Sequence, residues 1–364
     1  MTQHHRLPYW LVALCACLLT WHRVHAEVPA TQPLQKFEYQ NGKMGTLFHI
    51  VIWASDQPTA DNAADAAWAR IDQLNKTFSD YDPESELSRL SHLTDSGPMS
   101  RSVAVSDDMA KLLSYSIDAA KRSDGKFDVT IGPLSRLQRQ ARKEGKLPDP
   151  SLLKEAEECV GWRYIELDEA GRHVKLTHAN MRLDVGGIAK GYTSDRVVEL
   201  LKSRGLTHVL CGAAGDITAG DAPPARNAWR IGIASVKSPG EISDHVQFHN
   251  YAVSTSGDAY RSAEVDGKTY SHIIDTKTGL GLTKEIGVTT IAPQGVVADW
   301  TATAISILGP ERGLAMIDDI DGAAARVVTI DASGNEVIRE SKRFAQFLVP
   351  KEQPASAPAM RPLH

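Results

Sequence analysis

"LDVGGIAKGY", residues Leu183 to Tyr192, places an acid, a glycine pair and a lysine within seven residues. One reading is a strand-to-helix turn with its lysine on a solvated helix face, because glycine relaxes the backbone at such turns. The other is chemical. Glycines admit close backbone approach to an anion, a helix start turns N–H groups toward it, and a lysine adds positive charge. The spacing fits neither G-x-x-x-x-G-K-[ST] nor G-x-G-x-x-G, so a phosphate site here is neither a P-loop nor a Rossmann turn. The helix that follows is expected from about Ile188 to Ser203, before Gly205.

Outward from this stretch, the pattern is that of an α+β chain. "KFEYQNGKMGTLFHIVIWA" alternates around Met44-Gly45 and reads as a strand pair. Ala64, Trp68, Ile71, Leu74 and Phe78 recur at helical spacing over about 58 to 78. Ser106 caps a second helix that carries Met109, Leu112, Leu113 and Ile117 and stops at Gly125. "GKFDVTIGPL" reads as a β-rich run that Gly132-Pro133 ends, because proline cannot donate to a ladder. Residues 151–158 read as helix, and "YIELDEAGRHVKLTH" as a hairpin. Short strands and Gly-rich turns then alternate up to a helix from about Ala298 to Leu308, another near 311–318 and two closing strands. With no internal repeat and no obvious linker, the expectation is one domain over 27–348, either single or of two intimately packed lobes, and a disordered Pro/Ala tail over 349–364.

The 364 residues are 42% apolar and 23% charged, which is globular composition. Forty basic residues stand against 45 acidic ones, so there is no electrostatic footprint for nucleic acid. Residues 1–26 read as an export signal: His4, His5 and Arg6 precede the run "LPYWLVALCACLLTW", and "VHA" at Val24 to Ala26 suits cleavage. Cleavage there would remove Arg6 and Arg23 and no acid, leaving 38 basic against 45 acidic residues, net −7. In a competing reading "LCAC" is a lipobox, which would make Cys17 the lipidated N-terminus of an inner-membrane lipoprotein. Cys159 and Cys211 could pair in an oxidising compartment, but neither has metal or redox spacing.

Four turns rich in glycine and acid recur in the second half: "DVGGIAKGY", "CGAAGDI", "STSGDAYR" and "SHIIDTKTG". Together they exceed what connection needs and suggest backbone amides lining an extended ligand. In "VVADWTATAISILG", Asp299 and Thr303 lie four apart and share a face at a helix start. Either they are hard oxygen ligands suited to Mg²⁺, or Asp299 caps the helix and Thr303 is merely buried. His272, in a polar turn, is either a core histidine or a binding and acid/base group. Tyr81, in the polar "FSDYD", either packs on the surface or stacks on a planar ring.

"MGT" at Met44, "FSDYDPESELSRLS" at Phe78, "FDVTIGPL" at Phe127, "LDVGGIAKGY" at Leu183, "STSGDAYR" at Ser254, "SHIIDTKTG" at Ser271 and "ADWTATAISILG" at Ala298 stand in the order of the FAD:protein FMN transferases. The chain resembles that family, the ApbE family, over roughly residues 35 to 320. The resemblance implies a T-fold-like α+β domain of mixed sheets and packed helices. It also implies an exported, periplasmic enzyme that uses Mg²⁺ to split FAD and moves FMN onto a threonine of a partner protein, releasing AMP. By the same resemblance Met44 and Tyr81 hold the flavin nucleotide, Asp128 and Thr130 lie along it, and Asp184, Lys190 and His272 contact FAD. Asp299, Lys190 and His272 are the implied catalytic residues, and the Gly187 carbonyl, Asp299 and Thr303 the Mg²⁺ ligands. The chain departs from the family at Ala214-Gly215-Asp216, where Gly-Gly-Asp is usual, and at Asp275-Thr276, where Asp-Pro is usual. An alanine methyl at 214 obstructs close backbone approach.

The acceptor is expected to be a separate, membrane-associated or exported electron-transfer protein, since no "SGAT"-like segment occurs in this chain. Two rival expectations are a periplasmic FAD pyrophosphatase, with water in place of threonine, and a flavin-binding protein without turnover. Asp299 and Thr303 speak against the second, because a pure binder has no evident use for a metal at the pyrophosphate. Export is checked by mass spectrometry of the protein from its native host. The expected N-terminus is Glu27; a retained Met1 would refute export, and a lipidated Cys17 would favour the lipoprotein.

Overall fold

A computed structural model describes residues 33–238, 241–257, 262–265 and 267–350. The expected leader, Cys17, the tail from 351 and residues 258–261 of the Ser254 motif lie outside the described residues.

The described residues open with β1 (Gln35–Lys43) and β2 (Thr46–Ala54), an antiparallel hairpin that bends at Met44-Gly45, where both residues are left-handed at φ 49° and 70°. In β2, Phe48, Ile50 and Ile52 alternate onto one face and meet α1 (Gln57–Phe78), whose Ala60, Ala63, Ala64, Ala67 and Ile71 are buried. The small alanines let this helix lie close on the sheet. Val51 points the other way, into a second core. Buried on both faces, β2 is an inner strand between β1 and β6.

Two helices, α2 (Glu86–His92) and α3 (Asp107–Arg122), follow, with β3 (Val103–Ala104) between them. Ser106 caps α3 by accepting from Met109 N at 3.2 Å. The next segment departs from expectation. Phe127 to Thr130 form a turn rather than a strand, and helix α4 (Gly132–Glu144) begins where the strand was expected to end. The deciding contact is local: Asp128 Oδ1 accepts from Thr130 N at 2.9 Å and Thr130 Oγ1 at 2.7 Å, curling the chain. Pro133 then sits in the first turn of the helix, where its missing N–H loses nothing. After α5 (Pro150–Glu158), the hairpin β4 (Ile165–Asp168) and β5 (His173–Leu176) joins β3 in a three-stranded sheet.

Helix α6 (Ala189–Ser203) leads into β6 (Val209–Ala213) and β7 (Asp216–Ala219), which turn sharply at Ala214 and Gly215. The hairpin β8 (Trp229–Ala234) and β9 (Ile242–Phe248) covers the Val51 face, together with Phe344 and Phe347. Val349 N–H donates to His245 O at 3.0 Å, so the tail expected from 349 is tied down at its first residue. β10 (Ala252–Gly257), the pair β11 (Ser262–Val265) and β12 (Lys268–Ser271), and β13 (Ile286–Ala292) precede α7 (Gly295–Leu308) and α8 (Pro310–Asp318). Strands β14 (Ala324–Ile330) and β15 (Glu336–Glu340) complete an eight-stranded sheet in the order β1-β2-β6-β7-β10-β13-β14-β15. Its ladder pairings are antiparallel throughout. α1 and α6 pack on one half of it, and α7 and α8 on the other half.

Helices α6 and α7 meet where neither has a side chain. A Cβ on Gly191 would stand 2.1 Å from Gly295 O, and one on Gly295 would stand 2.3 Å from Thr218 Oγ1 and 2.8 Å from Gly191 O. Gly295→Ala should therefore destabilise the protein by about 2 kcal/mol or more, through forced backbone displacement. Gly42→Ala, with nothing within 4 Å of the added methyl, should stay within about 0.5 kcal/mol of wild type. Urea denaturation of both variants measures the contrast, and equal stabilities would refute the close-contact reading.

Candidate active site

The close crossing of α6 and α7 sets two short stretches against each other: the first turn of α6, carrying Lys190, and the second turn of α7, carrying Asp299. Gly191 N–H donates to Asp299 Oδ2 at 2.9 Å, and Lys190 Nζ lies 3.3 Å from both Asp299 oxygens. Asp299 is the fifth residue of α7, so it does not cap that helix. Thr303 follows one turn later on the same face, and its Oγ1 would lie 3.1 Å from a Cβ on Gly187. Gly187, Lys190, Asp299 and Thr303, four of the residues singled out from the sequence, are thus brought together.

Two further acids belong to this group. Asp216, at the start of β7, accepts from Lys190 Nζ at 2.8 Å and from the Ser254 hydroxyl. Asp195, one turn beyond Gly191 on α6, accepts from Gly295 N at 2.7 Å, Val296 N at 2.9 Å and Thr218 Oγ1 at 3.0 Å. Neither acid was singled out for a role, although Asp216 was quoted within a turn. Two sequence signals could have found them. β7 sends Asp216 and Thr218 to one face by strand alternation, and "GYTSD" and "GVVAD" share a glycine and an aspartate at the same spacing.

The electrostatics follow from burial. Asp299, Asp216 and Asp195 are each at most 6% exposed. Burial, with the neighbouring Asp216, holds the Asp299 carboxyl above the usual carboxylate range, while Lys190 and the Gly191 N–H pull it down. Burial acts against the Lys190 ammonium, but Asp216 and Asp299 outweigh it and raise its pKa, so the amine stays charged. Two carboxylates around one ammonium leave an excess negative charge beside a hydroxyl. An added cation has a place here, and the oxygen-only donors suit Mg²⁺ rather than zinc. Among the described residues there is no cluster of three or more His, Cys, Asp or Glu side chains able to hold a metal, so a metal here would depend on hydroxyl and carbonyl oxygens as well.

Of the remaining predicted residues, Met44 and Asp184 are linked to the Lys190 turn, while Tyr81, Asp128, Thr130 and the segment of His272 make contacts elsewhere. Met44, in the β1–β2 turn, places its Sδ 3.6 Å from Thr193 Oγ1, three residues beyond Lys190 on α6. Asp184 accepts from Gly186 N at 2.9 Å, and Gly186 O accepts from Lys190 Nζ at 3.2 Å. Tyr81 is 78% exposed with one ring face covered by the Arg139 guanidinium at 4.8 Å. Arg139 also pairs with Asp80 at 2.5 Å. Burial and the nearby Asp184 push the Asp80 carboxyl up against the pull of Arg139. Asp128 and Thr130 are buried and engaged in loop contacts: Trp162 N donates to Asp128 Oδ2 at 2.8 Å and Gly161 N to Thr130 Oγ1 at 2.7 Å. Between them and the site lies Phe127, whose ring edge would be 3.2 Å from a Cβ on Gly187.

His272 is half-buried just after β12. Its segment is pinned to the Phe127 loop by the Asp275–Lys126 ion pair at 2.8 Å and by Thr276 Oγ1 donating to Gly125 O at 3.1 Å. The residue Thr276, which stands where the family usually has proline, therefore makes a contact that proline could not. Ala214 adopts φ 51°, the left-handed region that favours glycine. Cys159 and Cys211 are free thiols, so the disulfide considered from the sequence is not formed.

The profile of the ApbE family matches residues 44–327. The chain is 26% identical over 346 residues to the FAD:protein FMN transferase of Klebsiella pneumoniae (strain 342), covering 92% of this chain and 96% of that one. It is 28% identical over 318 residues to the enzyme of the same name from Haemophilus influenzae, covering 85% and 90%. Its fold matches the flavin transferase ApbE from Vibrio cholerae with a TM-score of 0.76 at 26% identity, over 87% of this chain and 100% of that one. With the profile spanning most of the chain and 96% of the Klebsiella relative covered, this protein belongs to the ApbE family.

Proposed function

We infer that the protein is an FAD:protein FMN transferase, and the observation that carries the inference is Lys190 held between Asp216 and Asp299 at the crossing of α6 and α7. The full-length likeness to relatives of that name supports it. FAD is the substrate and a threonine of a partner protein the acceptor, with the partner an exported or membrane-associated electron-transfer protein. The mature enzyme works in the periplasm. The Gly187 carbonyl, Asp299 and Thr303 would hold Mg²⁺, which when bound supplies Lewis-acid polarisation of pyrophosphate oxygens.

In the reaction the threonine oxygen forms a bond to the FMN phosphorus, the anhydride bond to the adenylate side breaks, and AMP leaves with the bridging oxygen. The chain's own groups do three things. Lys190 offsets negative charge as it develops at the phosphates, its ammonium kept protonated by two carboxylates. The exposed face of Tyr81 stacks on a planar ring, while Arg139 braces the other face. Met44 and Asp184 border the nucleotide, and the loop built on Asp128 and Thr130 backs it through Phe127. His272 takes the proton from the attacking hydroxyl at an imidazole nitrogen.

Four measurements test this reading. With FAD, Mg²⁺ and an acceptor domain bearing the threonine motif, the acceptor should become fluorescent in a denaturing gel as AMP appears by chromatography. FMN in place of FAD should give neither, because it lacks the anhydride. AMP without a labelled acceptor, across several candidate partners, would favour a pyrophosphatase instead. Asp299→Ala should reduce transfer on the order of 100-fold or more, with circular dichroism unchanged; a folded variant at full rate would remove Asp299 from the site. Chelation by EDTA should abolish transfer and added Mg²⁺ restore it.

A further inference from the structure

α6 from its third residue and α7 from its first carry glycine and aspartate at the same spacing, Gly191-Tyr-Thr-Ser-Asp195 and Gly295-Val-Val-Ala-Asp299. Their contacts are reciprocal: the Gly191 N–H donates to the aspartate of α7, and the Gly295 N–H donates to the aspartate of α6. Each helix start is therefore satisfied by a carboxylate from the other helix, in the place where a side-chain cap of its own would normally act. Neither helix has such a cap. The two aspartates differ in one respect: Asp299 faces Lys190, whereas Asp195 faces backbone and Thr218.

We propose that Asp195 is a positioning residue for the transfer reaction, clamping the first turn of α7 to α6 and β7 so that Asp299 and Thr303 face Lys190 and Gly187. This rests on the function proposed above. Stability alone does not call for a carboxylate at this place. Among the described residues no cation forms an ion pair with it, and burying an unpaired acid is costly where a neutral acceptor could satisfy a helix end. What a carboxylate adds is two acceptor oxygens in one plane. Oδ1 holds Gly295 N and Thr218 Oγ1, while Oδ2 holds Val296 N. Two adjacent N–H groups fixed together set the rotation of α7 about its own axis, which a single bond would leave free. That rotation decides where Asp299 and Thr303 point, because they follow one and two turns from Gly295 on the same face. A displacement of about 1 Å at a reacting group can lower rate 100-fold. β7 contributes to the same alignment from one face, with Thr218 on Asp195 and Asp216 on Lys190.

The test uses Asp195→Asn in the full chain, since asparagine keeps one acceptor oxygen and loses the other. Transfer kcat should fall roughly 10- to 100-fold, and the Mg²⁺ concentration for half-maximal rate should rise by a similar factor. KM for FAD should move by less than about threefold, because the nucleotide contacts are untouched. Calorimetric titration of Mg²⁺ alone into the protein should show the same weakening without reference to turnover. Thr218→Val, which removes one of the three donors, should shift kcat and the Mg²⁺ midpoint in the same direction by less. If wild type shows no Mg²⁺ dependence, the functional reading itself falls and this inference with it. If wild type is Mg²⁺-dependent and Asp195→Asn keeps both kcat and the Mg²⁺ midpoint, even with a lowered melting temperature, the inference alone is overturned. Should Asp195→Asn not fold, Thr218→Val decides by the same two readings, and unchanged values there overturn it.

Discussion

Everything at the site depends on two helices approaching to a distance that only glycine permits. With Gly191 and Gly295 in contact through their backbones, the start of each helix comes within hydrogen-bond reach of the other's aspartate. A methyl at either position would separate the helices and break both bonds together. Lys190, Asp299 and Thr303 are consequently carried on helix backbones, an arrangement that preserves sub-ångström placement of reacting groups.

The charges gathered at this crossing are poorly explained by folding. Removing carboxylates and an ammonium from water generally offsets most of the attraction they gain, and such groups could often be replaced by apolar residues at no loss of stability. Here Asp216 and Asp299 share one lysine, so even the pairing is incomplete. A fold that tolerates this imbalance at the junction of α6, α7 and β7 holds in place an electrostatic environment ready for an anionic substrate and a cation. Perturbed, buried acids concentrated at one place are a characteristic of functional sites.

Much of the architecture is local enough to be legible in sequence. The stripe of α1, with Ala64, Ile71 and Leu74 buried, and the Ser106 cap of α3 each depend on residues a few positions apart. The start of α4 was hidden because Val129, Thr130 and Ile131 favour strands, and the outcome turned on one Asp128 side chain bonding two residues ahead. Of the site, Gly187, Lys190, Asp299 and Thr303 could be picked out because motif order in the family groups them. Asp216 and Asp195 could not be ranked in the same way. Their partners lie on other elements, and an aspartate after glycine in "AAGDI" looks like any turn until β7 is known to place it against α6.

The two thiols lead to a further point about how the chain matures. Burial pushes the Cys211 thiol up to about 12, and burial together with the Glu158 charge raises Cys159 as well. Since only the thiolate attacks a disulfide or an oxidant, Cys211 is a poor substrate for thiol exchange once the core has closed. Folding of this domain is thereby uncoupled from the redox poise of whatever compartment receives it: no cross-link has to form, and Cys211 offers little to scramble. Among the described residues no disulfide cross-links the fold, which is held by packing, hydrogen bonds and ion pairs.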